Sequence, residues 1–273
     1  MHRRMLLVCG AVMAAAAIAP SGALAWAPAA TAPVHPGVQL FTNGAQCTAN
    51  FIYSDGANTY IGQAAHCSGT GAATSTNGCD SASLPEGTQV QITGASQPGV
   101  MVYNSWIRMQ AAHETDVDTC DYNDLALVKI DPADVAKVNP SVPGFGGPTG
   151  TASLGDTGST VYTYGNSELR GGVTKLSPKQ GLVVQKQGNG WSTDVYTVTP
   201  GIPGDSGSGF LTGTGQAGGI LSTVQIAPLA ASNGVGDLPR EIAYMQAHGG
   251  PNASVVAGTE PFKADLVGAI LGA

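Results

Sequence analysis

The chain has 273 residues, 18 of them acidic and 11 basic, for a formal net charge of −7, and 42% are hydrophobic. That length can bury a substantial core, as one large domain or two small ones, and the acidic balance repels phosphate backbones, so no nucleic-acid partner is expected. Beyond the first segment no run approaches the roughly 18 consecutive apolar residues of a membrane span, so none is expected.

The opening MHRRMLLVCGAVMAAAAIAPSGALA sets Arg3 and Arg4 before an apolar run from Met5 to Ala19 and a small-residue Ala23-Leu24-Ala25 site. These are the parts of a secretory signal peptide, predicted over 1–25, with an exported mature chain starting near Trp26. Loss of Arg3 and Arg4 takes the net charge from −7 to −9. The Ala/Pro-rich start WAPAATAP, and His35 just beyond it, read as flexible. Cys9 leaves with the signal, and Cys47, Cys67, Cys79 and Cys120 remain. An even set in an oxidising compartment predicts two disulfides, in one of three connectivities. No C-x-x-C pair occurs and only His66 adjoins a cysteine, so neither a metal nor a cofactor is expected.

CTANFIY (47–53) and TYIGQAAHC (59–67) flank SDGAN and predict a hairpin with Asp55-Gly56 at its tip. The hairpin sets Cys47 beside Cys67 and favours that bridge, leaving Cys79 to Cys120 by elimination. Further strands are predicted in TQVQITG, LALVKI, STVYTYG, GLVVQK, VYTVT, SGFLT and GGILSTVQI, divided by the Pro/Gly-rich connector NPSVPGFGGPTG (139–150). Short strands at this spacing indicate an all-β sandwich or barrel. One helix is predicted in DLPREIAYMQAHG: Asp237 caps it, Leu238, Ile242 and Met245 share a face, and Gly249 ends it. The tail has a weaker apolar pattern at Phe262, Leu266, Val267, Ile270 and Leu271.

GIPGDSGSGFL (201–211) raises the question of chemistry, since a loop serine is a weak nucleophile without a base and an acid to orient that base. Among the histidines, His248 suits a helix C-terminus and His113 lies in the acidic stretch AAHETDVDTCDYND, read as a solvated loop. His66 instead closes an apolar strand beside a bridging cysteine. Of Asp116, Asp118, Asp121 and Asp124, which lack the order of an EF-hand loop, only Asp124 opens an apolar strand. A carboxylate at a core edge needs a donor, and a histidine N–H is one.

AAHC around His66, NDLALVKI around Asp124 and GDSGSG around Ser206 together resemble the chymotrypsin-like (trypsin-type) serine peptidases, in a secreted, bacterial-type form, over about residues 38 to 248. The resemblance implies two packed antiparallel β-barrels with a C-terminal helix: an N-terminal barrel in 26–145 carrying His66 and Asp124, a C-terminal barrel in 146–236 carrying Ser206, then helix and tail in 237–273. It implies a serine endopeptidase acting on polypeptides through an acyl-enzyme, here expected as a monomer. In the Ser-His-Asp template Ser206 attacks, His66 moves the proton, Asp124 orients His66, and the N–H groups of Gly204 and Ser206 form the oxyanion hole. By the same resemblance the base of the substrate pocket falls at Pro200, and Ser222 and Val224 belong to its wall. Pro200 carries no charge, and Val224 fills depth, so small or medium apolar side chains are expected before the cleaved bond. Asp205 departs from many relatives, because no Ile-Val-Gly-Gly start exists to supply it with a terminal amine, and it needs another cation or a set of backbone donors. Two rival readings remain: an esterase built on Ser206, Asp237 and His248, for which the G-x-S-x-G elbow is missing, and a protease-fold binding protein without activity.

Overall fold

A computed structural model describes residues 25–72, 75–225 and 229–272; the predicted signal peptide, apart from Ala25, lies outside the described residues. The first group of strands is β1 (Gln39–Thr42), β2 (Ala45–Thr48), β3 (Ile52–Ser54), β4 (Thr59–Ala64), β5 (Gln89–Ile92), β6 (Gly99–Asn104) and β7 (Leu125–Lys129). β5 alternates exposed glutamines with buried Val90 and Ile92, the pattern of a strand with one wet face. β4 is buried at all six positions, because it runs between β3 and β7 with both faces covered. Two short helices follow β6: α1 (Ser105–Ala111), capped by the Asn104 side chain on the Trp106 and Ile107 N–H groups, and α2 (Val117–Tyr122), capped by Asp116 on Thr119.

The second group is β8 (Thr160–Tyr164), β9 (Pro178–Gln187), β10 (Ser192–Thr197), β11 (Gly209–Thr212), β12 (Ala217–Val224) and β13 (Asn233–Asp237). It closes as a barrel in the order β10-β13-β12-β11-β8-β9. Helix α3 (Leu238–Ala247) is capped by the Asp237 carboxylate on the Arg240 N–H at 3.2 Å. The chain ends through β14 (Ser254–Val255) and α4 (Leu266–Gly272). β14 pairs with β3, so the first group is an eight-stranded antiparallel sheet, β14-β3-β4-β7-β6-β5-β1-β2, curled into a half-barrel. The all-β architecture of two packed barrel-like sheets and a C-terminal helix is that of the chymotrypsin-like fold.

Each sheet has its own apolar interior, around Leu40, Ile61, Met101 and Val128 in the first and Val161, Val195, Phe210 and Leu221 in the second. A third cluster joins them: Phe51, Tyr103 and Leu125 pack with Tyr162, Leu211, Ile220 and Met245. Burial of each such side chain contributes about 1.5–3 kcal/mol, so this cluster holds the two sheets together.

Several strand readings change. CTANFIY is two strands, because the Asn50 side chain accepts the Phe51 N–H and the Tyr53 hydroxyl, each at 2.8 Å, and turns the chain between β2 and β3. Cys47 therefore pairs across β1, opposite Leu40, rather than within the hairpin. It bonds to Cys67 because the single 3-10 turn after β4, Ala65–Ser68, brings Cys67 to β2, with Cα atoms 6.2 Å apart. Cys79 bonds to Cys120 on α2. The strand read in VYTVT begins earlier, at Ser192, and the acidic stretch read as loop contains α2. The start of the described chain is packed rather than loose: Ala27 N–H donates to Val138 O at 2.9 Å, Val34 and Val38 join the first core, and His35 is half-buried. No helix among the described residues is long and apolar enough to cross a membrane.

Candidate active site

The geometry around His66 begins with Asp124, which is 2% exposed at the start of β7. Its Oδ1 accepts the His66 backbone N–H at 2.9 Å, and its Oδ2 meets His66 Nδ1 at 2.7 Å and accepts the Ser222 hydroxyl at 2.6 Å. Three donors thus hold one carboxylate. With Nδ1–H directed at Asp124, the His66 Nε2 is left as the ring's basic atom. Burial disfavours the charged imidazole, but the Asp124 charge and hydrogen bond outweigh it, so His66 titrates above its ordinary value. Trp106, with its ring 6.4 Å from that of His66, covers one side.

Ser206 lies between β10 and β11, in a turn where Gly204 (φ 95°) and Gly207 (φ 84°) both take left-handed backbone conformations. A Cβ on Gly204 would come 2.0 Å from Gln46 Oε1, and one on Gly207 would come 2.8 Å from the Thr48 carbonyl oxygen. The turn is closed by Asp205 N–H to Ile202 O at 2.9 Å, Ser208 N–H to Asp205 O at 3.0 Å and Gly207 N–H to Leu221 O at 2.7 Å. The Gly201 and Ile202 N–H groups donate to Asn233 Oδ1 and Asp205 Oδ2. Across 201–208 only the N–H groups of Gly204 and Ser206 have no partner among the described residues. Their direction follows from planar peptides, in which N–H and C=O point oppositely. The Pro203 carbonyl accepts the Ser167 hydroxyl and the Asp205 carbonyl accepts the Ser208 N–H, so the next N–H in each case faces the other way.

Asp205 is fully buried and pairs with two cations, Arg170 and Lys179, the latter at 2.7 Å. The Ser167 N–H adds a bond to Oδ1 at 3.1 Å. Burial lowers the Lys179 ammonium, Asp205 raises it and Arg170 lowers it again, leaving it below the ordinary lysine value. The partner of Asp205 is therefore a pair of side chains, Lys179 on β9 and Arg170 in the loop between β8 and β9. No spacing rule connects Asp205 to positions 35 and 26 residues earlier.

A cleft of about 760 Å³ lies between the sheets, lined by Gln46 and Cys47 on one side, His66 and Trp106 at one end, and Ser206, Leu221, Ser222 and Val224 on the other. No Asp, Glu, Lys or Arg is among the described residues that line it. Pro200 is a departure from expectation: it is solvent-exposed outside the lining, with its carbonyl accepting Lys179 Nζ at 3.3 Å. The cleft wall starts one residue later, at Gly201, where an added Cβ would come within 3.1 Å of Val224 and 3.0 Å of Leu221. Ser222 lines the cleft while its hydroxyl serves Asp124. The alternative acid and histidine do not line the cleft. Asp237 caps α3, and His248 stacks on Tyr244 at 3.7 Å with Nδ1 on that residue's carbonyl. His113 is exposed. The sulfurs of Cys47 and Cys67 lie close enough to a His66 ring nitrogen to suggest a metal cluster, but both are bonded in the disulfide.

No family model matches the chain, and no curated protein does. Among solved structures it is similar to Thermobifida fusca protease A, at 19% identity and a TM-score of 0.52 over 82% of this chain and 99% of that one. It is similar to a glutamic acid-specific serine protease described as using a histidine triad in substrate binding, at 19% identity and a TM-score of 0.50, over 82% and 100% of the two chains. Nocardiopsis protease gives 16% identity and a TM-score of 0.50, over 81% and 98%. At these identities the likeness shows the fold.

Proposed function

We propose that the chain is an exported serine endopeptidase that cleaves polypeptides through Ser206, His66 and Asp124. The observation that carries this reading is the His66–Asp124 pair in the cleft shared with Ser206, where the N–H groups of Gly204 and Ser206 have no partner among the described residues. His66 Nε2 takes the Ser206 proton as Oγ attacks the scissile carbonyl, and then gives it to the leaving amine. Asp124 fixes the tautomer and stabilises the imidazolium. Gly204 and Ser206 N–H receive the oxyanion, and each such donor contributes about 2.7–4 kcal/mol of transition-state stabilisation. Water, activated by His66 in turn, releases the acyl group.

The absence of charged groups from the cleft's described lining, with Leu221 and Val224 against Gly201, supports small or medium apolar side chains before the cleaved bond. Two disulfides and the signal-like first segment support export. The protease relatives by fold support a hydrolase over an inactive binding protein. The test is cleavage of a peptide library by the mature protein beside its Ser206→Ala variant. Wild-type cuts after Ala, Val or Leu that vanish in the variant support the reading; a library left intact by the wild type, or cut equally by both, contradicts it.

A further inference from the structure

Glu241 takes no part in the proposed chemistry, yet it touches the acid at its centre. It lies in the first turn of α3, is fully buried, and its Oε1 accepts the Asp124 backbone N–H at 2.9 Å. It forms no ion pair with the described residues, and Oε2 has no hydrogen-bond partner. Room for the carboxyl is made by β13, since a Cβ on Gly236 would come within 2.6 Å of Oε1. An apolar side chain at 241 would satisfy the helix face packed on the sheets; a buried carboxyl with one hydrogen bond is an expensive choice unless that bond matters.

We propose that Glu241 is a positioning residue whose bond to the Asp124 N–H fixes the backbone from which the Asp124 carboxylate reaches His66. The inference rests on the Ser206–His66–Asp124 reading above. The groups facing Glu241 are Asp124 at the start of β7, Asp237 at the cap of α3, Tyr103 on β6 and Tyr53 on β3. None is a cation: Arg240 lies over the Trp191 ring, and Arg108 on α1 is engaged by Glu86. Burial is the largest influence on the carboxyl, the Asp124 N–H opposes it, and the charges of Asp124 and Asp237 reinforce it, so Glu241 titrates well above the carboxylate range. The positive end of α3 favours charge only weakly beside that burial. Full burial without a cation favours the neutral carboxyl, and in that form Glu241 steadies Asp124 without setting a second negative charge against the one that His66 needs.

Three variants separate this role from packing: Glu241→Gln keeps a neutral acceptor, Glu241→Leu removes it, and Gly236→Ala leaves Glu241 in the chain but pushes its carboxyl away. Two readouts are used, peptide-cleavage kinetics and an NMR titration of the His66 ring, which needs no turnover. Glu241→Gln is expected to keep kcat within about threefold and the His66 midpoint unchanged, while Glu241→Leu and Gly236→Ala lower kcat by about 10–100-fold, the scale of a slightly misplaced reacting group, with KM nearly constant. In those two variants the His66 midpoint falls toward its ordinary value. A His66 midpoint that stays at the wild-type value in both Glu241→Leu and Gly236→Ala, or a Gln variant as impaired as the Leu variant, overturns the proposal. If Glu241→Leu does not fold, Gly236→Ala carries the test alone. A wild-type protein without peptidase activity overturns the functional reading only, since the His66 titration still decides the positioning role.

Discussion

Asp124 and Asp205 are two buried carboxylates near one cleft, and their surroundings differ in kind. Asp205 is held by two full cations, Arg170 and Lys179, and by the Ser167 and Ile202 N–H groups. Asp124 is held by uncharged donors and by one ring that can gain or lose a proton. The first arrangement locks a turn, because breaking a buried ion pair strands the partners. The second leaves a charge available to a histidine that, in the proposed mechanism, changes state in each turnover. Burial of an acid thus marks neither stability nor chemistry until its partners are known.

The largest effects should fall on the Asp124 side. Ser206→Ala and His66→Ala are each expected to lower kcat by about 10⁴–10⁶-fold, with the double variant little worse, since residues acting as a unit are not additive. Asp124→Asn should cost about 10⁴-fold in kcat by favouring the wrong tautomer, with a much smaller change in melting temperature than removal of Asp205. Losses that multiply in the Ser206/His66 double variant would break the assignment, and His113→Ala and His248→Ala serve as unaffected controls.

On the Asp205 side the effect should appear as stability. Asp205→Ala leaves Arg170 and Lys179, 7% and 3% exposed, without their shared partner, and is expected to lose about 3–5 kcal/mol in denaturant unfolding. An Asp205→Ala protein as stable as wild type would remove the contrast between the two acids.

How much of this could be read beforehand follows the same division. His66, Asp124 and Ser206 were legible because each sits in a short local wording and they occur in one chain order. Arg170 and Lys179 were not, since their meeting with Asp205 depends on how β8, β9 and the intervening loop fold. Glu241 is hidden by the helical pattern, which sets Leu238, Ile242 and Met245 on the inward face, while Glu241 is fully buried beside Leu238 and Met245 and Ile242 is only partly buried. The all-β pattern was visible in the strand spacing, but β13, Asn-Gly-Val-Gly-Asp, gives little propensity signal, whereas β6 carries Val100, Val102 and Tyr103 and was legible but not singled out. Pro200 falls outside the cleft lining, because counting back from Ser206 does not register how the 201–204 turn bends into the cleft.

A smaller effect concerns pH. His66 must be neutral to act as base, and its titration lies above the ordinary 6.5, so kcat/KM is expected to rise with pH through a single midpoint above that value. Because the folded value is raised, the His66–Asp124 pair contributes stability that is fully present below the unfolded value and is lost as pH rises through the folded one. Asp124→Asn should move both midpoints down; a wild-type optimum in strongly acidic solution contradicts the base role. The smallest expected effect is selectivity: among matched peptides ending in Ala, Leu, Phe and Arg, the apolar ones should differ by only about 1–3 kcal/mol per methylene misfit in kcat/KM. A tenfold preference for Arg would contradict the uncharged cleft.

The most direct measurement is labelling of the mature protein with a fluorophosphonate, which bonds to an activated serine and ignores a passive one, followed by peptide mapping of the modified residue. One equivalent on Ser206, abolished in His66→Ala and strongly slowed in Asp124→Asn, is the expected result. A folded wild-type protein that stays unlabelled, or one labelled at a serine other than Ser206, would contradict the account.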